Sequence, residues 1–332
     1  MNIELVEKIV RAVLYEGYML YPYRASALKN RQRWNFGVLF PENSSLVQTG
    51  AERSTMQTEC LVAAGPQTMI SARARFLHLA ASEAPENAGL FSNSCPETIE
   101  REVSTPELDL TRLSEHRIDF PFEFHPHETT QGLRGPDGKN VIVRRGNQEP
   151  LQGTVELQAT PIGNQTSKLT VRIRNLTPGE PEASAVRDRA LVRSLISTHV
   201  ILKVEFGEFV SLIDPPDELR EAAAACRNIG AWPVLVGAEG ERDCMLSSPI
   251  TLYDYPQIAP ESAGDLYDGT EIDELLTLRI LTLTDEEKQQ MREGGAHVRQ
   301  ILERSESLPA EQLMKLHGAV RGLREAKRGS KR

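Results

Sequence analysis

Residues 68–79 alternate between two kinds of side chain: Ile70, Ala72, Ala74 and Phe76 share one parity, while Ser71, Arg73 and Arg75 take the other. A period of two puts the apolar set on one face of an extended chain, which predicts a half-buried strand. The pattern recurs. Val155, Leu157 and Ala159 alternate with polar residues, as do Leu169, Val171 and Ile173. Between them, residues 161–166 contain Gly163 and Asn164, the chemistry of a hairpin turn. Further strands are predicted at 57–62, 118–124, 141–144, 197–204, 209–213 and 232–236. Gly135-Pro136-Asp137-Gly138 and Asp214-Pro215-Pro216 supply turns between such runs. Many short strands with this punctuation predict a mostly β core, either a β-sandwich or a distorted barrel.

Helical spacing brackets that core, so the class is α+β. Val6, Ile9, Val10, Val13 and Leu14 fall three and four residues apart and make one apolar face, with Gly17 and Pro22 ending the helix. An alanine-rich helix is expected over 217–227, covering an edge or end of the sheet. Towards the carboxyl end, Thr270 with Asp273 reads as a helix cap, and Thr284 with Glu287 as a capping box. Gly294-Gly295 interrupts the second of these helices, and Pro309 suits the first turn of a last one. The expected organisation is an amino-terminal helix with a basic–aromatic segment (1–34), a β-rich core (35–253), and an acidic linker with a helical arm (254–332). Residues 82–107 and 178–187, rich in Pro, Glu, Ser or Asn, read as loops.

Several strings resemble, together, a bacterial protein family encoded near uptake-type nickel–iron hydrogenases. They are LYEGYMLYPYRASALKNRQRWNFGVLFP (14–41), QTECLV (57–62), GEFVSLIDPP (207–216), WPVLVG (232–237) and SSPITLYDYPQIAPESAGDLYDGTEIDELLTLRILTLTDEEK (247–288). The resemblance spans most of the chain and carries no assigned catalytic residues. It implies a part in assembling, maturing or partnering the hydrogenase, inside a bacterial cytoplasm.

Charge and composition bear on the function class. A formal net charge of −9 and 5% aromatic residues disfavour nucleic acid, which needs basic excess and stacking surfaces. No apolar run has the length of a membrane span. Cys60, Cys95, Cys226 and Cys244 form no C-x-x-C pair, and no secretory signal pattern opens the sequence, so reduced thiols in the cytoplasm are expected.

Three sets of residues carry possible chemistry. His125-Pro126-His127 puts two imidazoles on one side of an extended segment, where Cys60 or His78 from neighbouring strands could complete a metal site. Against this, Pro126 disturbs the strand, and two ligands do not specify a site. The second set, Tyr21, Tyr23, Arg24, Arg31, Arg33 and Trp34, with Lys29, has the residue types of contact hot spots. It reads as a partner-binding loop, with anion or RNA contact as the rival, and aromatics plugging the sheet beneath solvated charges as the plain reading. The third set is acidic: Asp254, Glu261, Asp265, Asp268, Glu271 and Asp273 lack EF-hand alternation and read as a solvated loop. Residues 132–139 resemble a phosphate loop only superficially, and no G-x-S-x-G elbow accompanies His199 and Asp214. Nothing specifies a cofactor. The sequence therefore favours a non-enzymatic accessory protein, with metal binding through His125 and His127 as the alternative.

Overall fold

One strand organises the molecule. In the computed structural model, which describes residues 3–17, 23, 27, 30, 36–82, 98–134, 141–163, 165–178, 187–258, 264, 266, 273–292 and 296–309, β1 (Thr55–Leu79) runs for 25 residues. Sequence reading expected two separate strands here, at 57–62 and 68–79. The chain instead runs on through an irregularity between Ala64 and Met69. Pro66 has no amide hydrogen for the ladder, and Thr68 bridges the gap. Its hydroxyl accepts from the Gly65 amide at 2.8 Å and donates to the Phe206 carbonyl at 2.7 Å.

The first half of β1 pairs with β9 (Thr166–Asn175), and the second half pairs with β3 (Thr98–Ser104) and β4 (Leu108–Asp109). Along the other edge lies β10 (Ile196–Val210), spanning both halves. Adding β5 (Ile118–Phe124), β8 (Leu151–Gly163), β11 (Trp232–Leu235) and β12 (Cys244–Ser248) gives an antiparallel sheet in the order β11-β12-β10-β1-β9-β8-β5. The predicted hairpin joins β8 to β9. A smaller sheet pairs β2 (Ala81–Ser82) with β7 (Val141–Gln148) and β7 with β6 (His127–Arg134).

The large sheet folds over on itself without closing into a barrel. At one end, Ile229 bridges back to Gln57, with amide-to-carbonyl distances of 2.8 and 3.0 Å. At the other, Phe122 and Phe124 of β5 reach Phe76 of β1, their ring centroids 5.8 and 6.0 Å away. The enclosed core holds the predicted parity set: Ile70, Ala72, Ala74 and Phe76 with Val155, Leu157, Leu169, Val171 and Ile173. Edge strand β5 keeps Asp119, Pro121 and Glu123 outward, and a proline there withholds one amide from outside pairing.

Helices cover the opposite face. In α1 (Ile3–Tyr15), Val6, Ile9, Val10 and Val13 pack against Ile201, Val234, Val236 and Leu246, and Gly17 follows with φ +72°, as a helix terminator does. Short helices α2 (Ser45–Gln48), α3 (Leu110–Glu115), α4 (Arg187–Leu191) and α5 (Arg220–Ala224) occupy connections. The helix expected over 217–227 is α5 after a single tight turn, Asp217–Leu219. Next come α6 (Asp273–Leu281), α7 (Asp285–Arg292) and α8 (Ala296–Glu306). The capping box at the start of α7 is reciprocal: Glu287 N donates to Thr284 Oγ1 at 3.2 Å, and Thr284 N to the Glu287 carboxylate at 3.1 Å. These helices pack on the body rather than project from it, since Leu276, Ile280, Met291, Val298 and Ile301 share a buried cluster with Leu14, Phe40, Leu77 and Leu79. Residues of all three expected segments thus meet in one cluster. The Thr270 cap, Gly294-Gly295 and the last predicted helix lie outside the described residues.

Two readings need correction. Strand β3 lies inside the expected 82–107 loop. Its Glu100 and Glu102 oppose Leu77 and Arg75, so one face is bought by charge pairing and carries no apolar alternation. Likewise 197–204 and 209–213 belong to a single β10, apart from the last few residues.

Candidate functional site: a charged groove between helix and sheet

The polar parity of β1 faces α1. Arg73 and Arg75 therefore lie under the helix face carrying Glu7, Lys8 and Arg11, with Glu100 and Glu102 alongside on β3. Arg75 is the centre of this arrangement. Its Nη1 and Nη2 donate to the two Glu7 carboxylate oxygens at 2.6 and 3.1 Å, and its Nε to Glu102 at 2.5 Å. Arg73 Nη1 adds a bond to Glu7 at 3.1 Å. Burial pushes the Glu7 and Glu102 carboxyls up, but the bonds and charges of Arg75, with Arg73, override it and hold both below their ordinary value. Bidentate guanidinium–carboxylate geometry makes this a rigid clasp between helix and sheet.

Above the clasp opens a groove of about 530 Å³ lined by Glu7, Lys8, Arg11, Leu14, Arg75, Glu100, Arg101 and Glu102. Glu100 is held by buried Tyr15, whose hydroxyl donates to it at 2.8 Å while its ring packs tilted against that of His297 of α8, centroids 4.4 Å apart. Burial lowers the His297 pKa, and the Arg11 charge adds to this. The groove's acids are thus engaged from within. Lys8 and Arg11, one helical turn apart, are exposed and form no ion pair among the described residues.

Under the clasp sits His199, the cross-strand neighbour of Arg75. It is sealed from solvent, its Nδ1 donates to the Ser197 carbonyl at 2.9 Å, and its Nε2 has no partner. Burial brings its pKa down to about 4, so it is neutral at ordinary pH. A hydrolase built on His199 and Asp214 has no geometric basis, since Asp214 is exposed and its amide is spent on Ser211 Oγ at 2.9 Å.

The candidate metal ligands are not brought together. Cys60 and His78 lie towards opposite ends of β1, both fully buried. His125 is 82% exposed beside Glu123 at 3.5 Å, and His127 is exposed at the start of β6. Among the described residues, no three His, Cys, Asp or Glu side chains are grouped to hold a metal ion. The Cys60 thiol is pushed far above its ordinary pKa by burial, with the nearby Cys226 and Glu59 adding to it.

Of the predicted partner-binding residues, Tyr23 is interior: it is 1% exposed, and its hydroxyl donates to the Leu266 carbonyl at 2.8 Å. Tyr21, Arg24, Arg31, Arg33 and Trp34 lie outside the described residues, as do Glu261, Asp265, Asp268 and Glu271. Asp254 is structural, accepting from Ser211 Oγ at 2.5 Å and the Leu235 amide at 2.8 Å. Sequence reading missed the groove. Its only local signals were the paired arginines on β1's polar parity and Glu100-x-Glu102, which looked like loop composition.

No protein-family model matches this chain, and no curated protein matches it in sequence. Among the described residues, no helix is long and apolar enough to cross a membrane.

Proposed function

We propose that this chain is a non-enzymatic accessory protein that holds an acidic segment of a protein partner in the groove between α1 and the sheet. The partner implied by the sequence resemblance is a nickel–iron hydrogenase subunit or maturation factor. One observation carries the reading: Lys8 and Arg11 stand exposed at the groove mouth without an ion pair among the described residues, while Glu7 and Glu102 are held by arginines and Glu100 by Tyr15. The charge left available there is positive on a chain whose net charge is −9, which steers an acidic partner to this face. Support also comes from four of the reactive side chains, His78, His199, Cys60 and Cys244, which lie in the interior.

The test is affinity purification from a hydrogenase-producing bacterium, comparing the wild-type chain with Lys8→Glu/Arg11→Glu. Rim charges contribute modestly one by one, so the double reversal should cut recovery of a hydrogenase subunit or maturation factor by about tenfold. Raising salt should do the same. Recovery unchanged by both treatments, or no hydrogenase protein recovered at all, would overturn the proposal.

A further inference from the structure

Phe206 is held out of the fold in a backbone conformation that phenylalanine disfavours. It is 71% exposed, and its φ is +55°. Left-handed backbone suits Gly or Asn, and a bulky side chain there is an outlier under strain. Burial does not offset that strain, because most of the residue stays in water.

Both flanking strands give way at this point. β1 sets residues 65–68 against Phe206 alone, between the pairs Ala64–Gly207 and Met69–Glu205. On the other side, the Val204 and Phe209 amides donate to successive carbonyls, Asp243 at 2.9 Å and Arg242 at 2.7 Å, so residues 205–208 arch away from the ladder. The arch is fixed from beneath, since the Phe206 carbonyl accepts from the buried Thr68 hydroxyl at 2.7 Å. Gly207 is there for room: a Cβ would lie 2.9 Å from the Ala63 carbonyl oxygen and 3.0 Å from Thr68 Cγ2. Glycine therefore stands beside the left-handed position and not in it. A bulge that only bent the sheet would be met with less strain by Gly or Asn at 206. Phenylalanine held outward against its own backbone preference has the character of a contact anchor.

The surroundings indicate what such an anchor fits. Gly65 and Pro66 are exposed next to it on β1. The Ala64 amide donates to the Gln165 carbonyl at 2.8 Å, which brings in the β8–β9 hairpin, where Ile162 is 45% exposed. The charges nearby are mainly acidic. Lys203 is paired with Glu205 and also feels Glu107 and Asp243, and Glu208 is exposed on the arch itself. Against these four acids stand Lys203 and the exposed Arg242. An apolar anchor in net negative surroundings complements an apolar pocket with a basic rim, and it is repelled by an anionic membrane surface.

We propose that Phe206 inserts into an apolar pocket, rimmed by Lys or Arg, on a protein partner. The surface is separate from the charged groove, because Arg75 lies about 20 Å further along β1. The double bulge holds the ring in place before contact, which lowers the entropy cost of association.

The test uses the full chain with Phe206→p-benzoylphenylalanine, irradiated in its native cell, with the labelled residue of any adduct located by mass spectrometry. The expected adduct is with one other protein, at an apolar pocket bordered by Lys or Arg. With that protein purified, Phe206→Asn should weaken binding by about thirtyfold, as loss of an anchor residue does, and Phe206→Tyr should retain it. Added salt should weaken the wild-type complex. In the chain alone, Phe206→Asn should hold or raise the melting temperature, since Asn tolerates the left-handed backbone. Adducts only with lipid or with a second copy of this chain, or no adduct, would overturn the proposal. So would binding that changes by less than about threefold in Phe206→Asn. A melting temperature lowered by Phe206→Asn would make the ring a structural element and overturn it equally.

Discussion

Lowering the pH from 7.5 to 5 is expected to destabilise this fold through two histidines that have no room for a proton. His78 and His199 are sealed inside the sheet, and both pKa values fall from 6.5 to about 4. Burial is the main cause for each. Arg101 reinforces it at His78, partly offset by the Glu149 and Val192 backbone. At His199 the Ser197 carbonyl, Glu7 and Glu102 oppose the burial, while Arg75 adds to it. Between pH 6.5 and 4 the unfolded chain takes up protons that the native chain refuses. Stability is therefore complete above the unfolded pKa and falls as the pH drops towards the folded one. Integrating that difference down to pH 5 gives about 2 kcal/mol for each histidine, about 4 kcal/mol together. Glu7 and Glu102 act lower on the scale. Their pKa values are depressed from 4.5, so the stability they confer is present above that value and is lost as the pH falls through the folded pKa.

The assay is urea unfolding followed by near-ultraviolet circular dichroism at several pH values, in sulfate buffers of constant ionic strength. His78→Gln and His199→Gln will each lower stability at pH 7.5, so the readout is the slope with pH, not the absolute value. Each variant should lose about half of the decline between pH 7.5 and 5. An unchanged slope in both, or an NMR titration placing either histidine near its ordinary pKa, would refute the reasoning.

Three further outcomes follow from packing and capping. Gly153 lies under the Phe122 ring, and a Cβ there would sit 2.3 Å from Phe122 Cζ and 2.5 Å from the Arg174 carbonyl, so Gly153→Ala should cost about 3 kcal/mol in thermal or urea unfolding. Phe76→Ala should cost about 4 kcal/mol, and a double-mutant cycle with Phe122→Ala should give a coupling of about 1 kcal/mol. Strict additivity would mean that β5 does not fold back over β1. Thr284→Ala removes one arm of the reciprocal cap and should cost about 1 kcal/mol, read as the same loss in unfolding free energy.

Local features were legible wherever a single element's burial follows its own period. The apolar stripe of α1, the alternation in β1, β8 and β9, the β8–β9 hairpin and the Thr284–Glu287 box all appear at the expected residues. Legibility failed where charge or a side-chain bridge stood in for an apolar signal. β3 looked like a loop because Glu100 and Glu102 satisfy Tyr15 and Arg75. The strands at 57–62 and 68–79 could not be read as one because the part played by Thr68 depends on Phe206, 138 residues away. His78 looked like a metal ligand on its residue type and a supposed neighbouring strand, whereas Arg101 becomes its neighbour only through strand pairing.

By itself, then, the sequence determined that a mostly β body would form, which parity of each main strand would be buried, and where several helices begin or end. Tertiary structure alone decided that the sheet folds over, that the carboxyl-terminal helices pack on its back, and that a charged groove opens under α1. The physical reason is that a period of two or 3.6 states that a face is buried without naming what buries it. Arg75 meets Glu7 across 68 residues and Thr58 meets Ser247 across 189, and such pairings arise from sheet register and curvature, which no local window contains.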